Sequence, residues 1–134
     1  MSAKLAVLSM FLLSGPALGT LQILAFPLMA SASEEQAVIA TIKLGSGNTE
    51  EQKRIAALEE ELSDAIKHSG AGEFDGDEFG DGVCTIYMYG PSAERLFTVT
   101  MPILKRFRAP AGSYVIKRYG KPGAKQDGVP LAEK

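Results

Sequence analysis

Apolar and polar positions alternate by two over Ala37–Leu44 (AVIATIKL), which puts Val38, Ala40, Ile42 and Leu44 on one face of a first strand. Gly45-Ser46-Gly47-Asn48 ends that run. The period then lengthens: Ile55, Leu58, Leu62, Ala65 and Ile66 recur at three and four, giving a helix with one apolar stripe. Thr49 is its expected cap, with Gln52 at capping-box spacing. Glu50 and Glu51 in the first turn and Lys67 and His68 in the last match the helix dipole, and Gly70 is the expected stop. Glu73–Phe79 and Val83–Tyr89 read as two strands joined by Gly80-Asp81-Gly82, a hairpin signal because Gly and Asp tolerate positive φ. In the second of them Cys84, Ile86 and Met88 alternate with Thr85, Tyr87 and Tyr89.

Gly90-Pro91 breaks the strand and Ser92 caps a second helix carrying Leu96, Phe97, Thr100, Ile103, Leu104 and Phe107 on one side. Pro102 cannot donate to the Thr98 carbonyl, so a kink or early end is expected there. Ser113–Tyr119 (SYVIKRY) is the last predicted strand. Residues 120–134, rich in Gly, Pro and Lys and without period, read as a flexible tail. The resulting order, β-α-β-β-α-β, predicts an α+β domain over residues 33–119. Its fold would be ferredoxin-like, with a four-stranded antiparallel sheet and two helices on one face. The expected core is Val38, Ala40, Ile42, Ile55, Leu58, Leu62, Ile66, Ile86, Met88, Leu96, Phe97, Ile103 and Ile116.

Residues 1–32 are of different material. Lys4 is their only charge, Leu5–Leu13 is almost wholly apolar, and Ala30-Ser31-Ala32 meets the polar SEEQ. A basic start, an apolar middle and an A-x-A end describe a secretory signal peptide cut after Ala32, and predict an exported, periplasmic or secreted protein. A cut after Gly19 would leave Leu21–Met29 in water. The competing reading is a retained inner-membrane anchor, since roughly 20 apolar residues span a bilayer; only then would the membrane be a partner. The junction has no cysteine, which excludes a lipoprotein anchor.

Charge changes the picture in one respect. The whole chain carries −2, with pI about 5.4, so no global basic field points to nucleic acid. Its signs are segregated, however: residues 33–81 sum to −9 and residues 82–134 to +6. One Cys, one His and no Trp among 134 residues exclude a disulfide scaffold and leave little for zinc chemistry. Cys84 reads as a small buried hydrophobe and His68 as a dipole cap. No cofactor and no catalytic residue is expected.

Two constellations remain. The hairpin carries Glu73, Asp75, Asp77, Glu78 and Asp81 within nine residues. Asp75, Asp77 and Gly80 suit the first, third and sixth places of a calcium loop. Phe79 stands where an oxygen ligand belongs, and Ile86 replaces the closing Glu, so Asp75 and Asp77 make only a weak calcium pair. Acids that keep an edge strand from pairing, or that dock a basic partner, are the other readings. The second constellation is the open sheet face, where Thr85, Tyr87, Tyr89, Lys117 and Tyr119 would form a binding platform. The basic residues Lys105, Arg106, Arg108, Lys117, Arg118, Lys121 and Lys125, which mostly flank the last strand, would form a solvated surface, pair with the acidic hairpin, or meet an anionic ligand or lipid headgroup.

The stretch GEFDGDEFGDGVCTIYMYGPSAERLF (residues 72–97, within a resemblance that runs to residue 107 at most) resembles small exported bacterial proteins of unassigned function with a Gly-Glu-aromatic-Asp-Gly hairpin and a YMYGP strand end. The resemblance implies a bacterial source and the hairpin-to-helix connection, and it carries over no catalytic residue. The expectation is an exported, non-catalytic partner-binding or accessory module, of the inhibitor or immunity type, that binds a protein or a second copy of itself. A small enzyme or a metal- or anion-binding protein using the acidic hairpin, and a membrane-anchored accessory subunit, are the alternatives.

Overall fold

The computed structural model describes residues 33–132; the leader or anchor reading of residues 1–32 lies outside them. The elements run β1 (Gln36–Lys43), α1 (Thr49–Ser69), β2 (Glu73–Gly80), β3 (Val83–Gly90), α2 (Ala93–Phe107), β4 (Tyr114–Arg118) and β5 (Gln126–Pro130). All strand pairs are antiparallel, in the order β2-β3-β1-β4-β5. The chain is thus α+β, with two helices and a five-stranded open sheet. No helix among the described residues is long and apolar enough to cross a membrane.

Local chemistry explains the element ends. The cap of α1 is Asn48, not Thr49: its Oδ1 accepts from Glu51 N at 2.9 Å. The Glu51 carboxylate in turn accepts from the N–H groups of Gly45, Ser46 and Gly47 at 2.7, 3.1 and 2.6 Å. Asn48 supplies the cap oxygen, and Glu51, three residues into the helix, reaches back past the cap to the loop N–H groups; Asn48 N itself donates to Ser46 Oγ at 3.4 Å, so only half of the reciprocal capping box is formed. Those backbone donors hold the Glu51 carboxyl below its ordinary pKa. Gly70 ends α1 in the left-handed region at φ 63°. The β2–β3 connection is the two-residue turn Asp81-Gly82, both at positive φ (53° and 74°), the form whose twist suits a hairpin. Gly72 and Gly90 mark a close crossing, since a Cβ on Gly72 would lie 2.0 Å from the Tyr89 carbonyl oxygen. Pro102 does not end α2, which runs on to Phe107; the proline is exposed, so the Thr98 carbonyl it leaves free faces water.

The core lies between the helices and one face of the sheet. Ile55, Leu58, Leu62 and Ile66 of α1 and Leu96, Ile103 and Leu104 of α2 close on Val38, Ala40, Ile42, Cys84, Ile86, Met88 and Val115. Three expectations about the C-terminal third differ from the structure. Val115, not Ile116, is the buried residue of β4, and Phe97 is only half-buried. Residues 126–130 are not part of a loose tail but form β5, paired from Tyr114↔Pro130 to Arg118↔Gln126. Leu131 N donates to the Ser113 carbonyl at 2.9 Å, fixing the chain past that strand.

Candidate functional site

The sheet face away from the helices is the first candidate. Strand register sets it out in ranks of residues directly opposite one another. Glu73, Tyr89, Ala37 and Arg118 form one rank, with Gln126 at its end. Tyr87, Ile39 and Ile116 fill the middle rank, flanked by Gly76 and Gly128. Glu78, Thr85, Thr41 and Tyr114 make the third. No member of these ranks enters the helix-packed core cluster, and no helix or strand among the described residues lies over them, although Ala37 and Thr41, in the central strand, are themselves buried. Tyr114 is 40% exposed and Tyr87, Tyr89, Ile39 and Ile116 are half-buried. The Tyr87 hydroxyl donates to Glu78 Oε2 at 3.2 Å. Partial burial and that carboxylate together raise the Tyr87 phenol above its ordinary pKa.

Three of the five expected platform residues are here: Thr85, Tyr87 and Tyr89. Lys117 and Tyr119 are not. They share the parity of Val115 and meet α2 instead. The Lys117 ammonium donates to Glu94 Oε1 at 2.7 Å and lies 4.8 Å from the centre of the Phe97 ring. The Tyr119 hydroxyl is within hydrogen-bond reach of both Glu94 and Asp127. These contacts lower the Glu94 pKa and raise those of Lys117 and Tyr119, in each case chiefly through the hydrogen bonds between them. The face therefore carries Tyr114 and Arg118 in the places expected for Tyr119 and Lys117. A helix acid that could receive Lys117 was the signal for this, because Glu94 stands in the first turn of α2.

The acidic hairpin is extended strand rather than loop. A bulge between Phe74 and Gly76 sets Asp75 outside the ladder, and Gly76 takes φ 135°. Glu73 and Glu78 fall on the open face, Asp77 on the helix side opposite Ile86, and Asp81 in the turn. The pair Asp75 and Asp77 is thus split, and Asp77 acquires different company. Its carboxylate, that of Glu59 on α1 and the thiol of Cys84 on β3 place one atom each within 4.8 Å of one another. Cys84 Sγ donates to Asp77 Oδ2 at 3.9 Å. Glu59 Oε1 is buried without a hydrogen-bond partner.

Burial, and then the adjacent Asp77 carboxylate, push the Glu59 carboxyl up to about 7. Burial first, and then the Asp77 and Glu59 charges, push the Cys84 thiol up to about 12. The arrangement sets two carboxyl groups side by side over an inert thiol, since a thiol this hard to ionise is a poor nucleophile. A cation would find two carboxylates there, plus a sulfur it must first deprotonate. The adjoining cleft, about 420 Å³, is lined by Gln52, Ile55, Ala56, Glu59 and Phe79, and Phe79 is 49% exposed. Sequence reading missed Glu59, which hides in the run Glu59-Glu60-Glu61; its distance of four from Ile55 and three from Leu62 was the available signal. A second cleft lies between the helices, where Arg106 pairs with Glu61 and Arg54 donates to the Phe107 carbonyl at 3.1 Å. Both guanidinium groups there are engaged within the chain.

No family model, curated protein or solved structure matches the chain.

Proposed function

We propose that the protein is an exported, non-catalytic binding module of ferredoxin-like fold, extended by one strand, which docks another protein surface on its second sheet face. The order β-α-β-β-α-β, with β1 and β3 inside the sheet, supports the fold. The A-x-A junction at residues 30–32 supports export. One observation carries the docking reading. Tyr87, Tyr89, Tyr114, Ile39 and Ile116 form an apolar and aromatic field against which no described helix or strand packs. Tyrosines of this kind bring large contact area at low entropic cost, with a polar tip for the rim. The test compares the wild type and Tyr87→Ala as baits in the cell envelope of the source bacterium. A protein held by the first and lost by the second is expected; identical sets from both would overturn the reading.

A second reading, a metal-binding protein built on the acidic hairpin, has the grouping of Glu59, Asp77 and Cys84 in its favour. Melting curves with calcium and with zinc separate the two. A bound ion raises stability by about 2.7 kcal/mol at a hundredfold excess over its dissociation constant. The binding-module reading expects no shift with either ion.

A further inference from the structure

We propose that the occupant of the second sheet face is a second copy of this chain, stacked face to face about a two-fold axis that runs along the strands. The inference rests on the docking reading above and adds the partner and its orientation.

Edge-to-edge growth of the sheet is blocked on both sides. β2 carries Glu73, Asp75, Asp77 and Glu78 and is broken by the Asp75-Gly76 bulge, all devices that deter strand addition. β5 ends in Pro130, which has no N–H to give. The face itself is of useful size. Five strands about 4.8 Å apart and three to four ranks about 6.7 Å apart give roughly 500–600 Å² per copy. Two copies would bury about 1,000–1,200 Å², the low end for a specific interface, so a dimer of micromolar strength is expected.

Charge selects the orientation. The acids of the face lie on the β2 side, and Arg118 lies on the β4 side of the same rank as Glu73. A two-fold axis along β1 exchanges the two sides and keeps the ranks level. Glu73 then comes over the partner's Gln126, one strand from the partner's Arg118 and within reach of its long side chain, while Tyr89 meets the partner's Arg118 and Tyr87 meets the partner's Ile116. The other face-to-face two-fold, across the strands, inverts the ranks and sets Glu73 against the partner's Glu78. Like charges brought together in this way are penalised, so the first axis is preferred. Within one chain Glu73 and Arg118 are three strand spacings apart, about 14 Å. Neither forms an ion pair with another described residue. Any coupling measured between them is therefore intermolecular.

Sedimentation of the protein as purified from cells, from about 1 to 500 µM, tests this. The wild type should show a monomer–dimer equilibrium. Glu73→Arg and Arg118→Glu should each weaken the dimer about tenfold, because the axis repeats every contact twice. The double variant should return to within about threefold of the wild type. A dimer indifferent to the single changes, or not restored in the double variant, overturns the inference. A chain that stays monomeric throughout also overturns it. If such a monomer still holds an envelope protein that Tyr87→Ala releases, the docking reading survives and only the second copy falls; if it does not, both fall.

Discussion

Replacing Glu59 by Gln should make the protein more stable at pH 8 and leave it nearly unchanged at pH 5. The cause is burial, with a second carboxylate beside it: Glu59 has a buried, unpartnered oxygen next to Asp77, and its pKa is raised from the ordinary 4.5 to about 7. A carboxyl raised on folding binds a proton in the native state that the unfolded chain has already released. Stability is therefore full below about pH 4.5 and falls as pH rises toward 7, above which the loss is complete. At 1.36 kcal/mol per unit the full shift would amount to about 3.4 kcal/mol. Glu59 is partly open to water, and screening brings the expected loss to about 1–2 kcal/mol. Gln keeps the shape, carries no charge and can donate to Asp77. Urea titrations from pH 5 to 9 would read the difference through the midpoint at constant slope. Glu60→Gln, one residue on and exposed, is the control and should follow the wild type. If Glu59→Gln keeps the wild-type pH slope, or is destabilised at pH 8, the account of Glu59 as a carboxyl raised by burial beside Asp77 is wrong.

Other outcomes follow from the same geometry. Val115→Ala should cost about 2–3 kcal/mol in folding, while Ile116→Ala should cost about 1 kcal/mol or less and weaken association instead; denaturant melts with sedimentation read both. Cys84 in the native protein should react with a thiol reagent only as fast as the chain opens, and at once in denaturant, because the thiol is buried and held near pKa 12. Truncation after Gly120 should destabilise the domain by about 2 kcal/mol or more, since it removes β5 together with the partly buried Val129 and Leu131; a melt unchanged by the cut would return residues 126–130 to the status of a tail. Mass spectrometry of protein from the envelope should give Ser33 as the first residue, and recovery of the intact chain in the membrane fraction would favour the anchor.

What could be read from the sequence follows from how strongly each segment commits its residues. β1, α1 and the hairpin were legible because alternation and the three-four stripe each point one way, and Asp81-Gly82 allows essentially one kind of turn. β4 was not, because Val115 and Ile116 are adjacent and both β-branched, so period two fits either parity. The choice is made by Lys117, whose aliphatic stem lies under α2 while its ammonium reaches Glu94. β5 was invisible because QDGVP has neither alternation nor β propensity; the backbone ladder to β4 and the ends of the strand hold it there. The carboxyl cluster was out of reach for another reason: Glu59, Asp77 and Cys84 come from three elements, and only the packing of α1 over the β2–β3 hairpin brings them together.

The position of β1 in the sheet also governs how the molecule must assemble. β1 is the first strand of the described chain, yet it lies between β3 and β4, with its nearest register partner 40 residues later and its farthest 81. At about 5–20 residues per second, a ribosome would take roughly 4–15 s to supply the second neighbour. Until β3 is made AVIATI, uncharged and rich in β-branched residues, has both edges unpaired, and until β4 is made it still has one. The hairpin of β2 and β3 can close by itself, but β1 is enclosed only when β4 arrives. Refolding should accordingly slow at this late closure and lose yield as protein concentration rises. For this chain the interval between synthesis and completion of the sheet is the period of greatest exposure to aggregation.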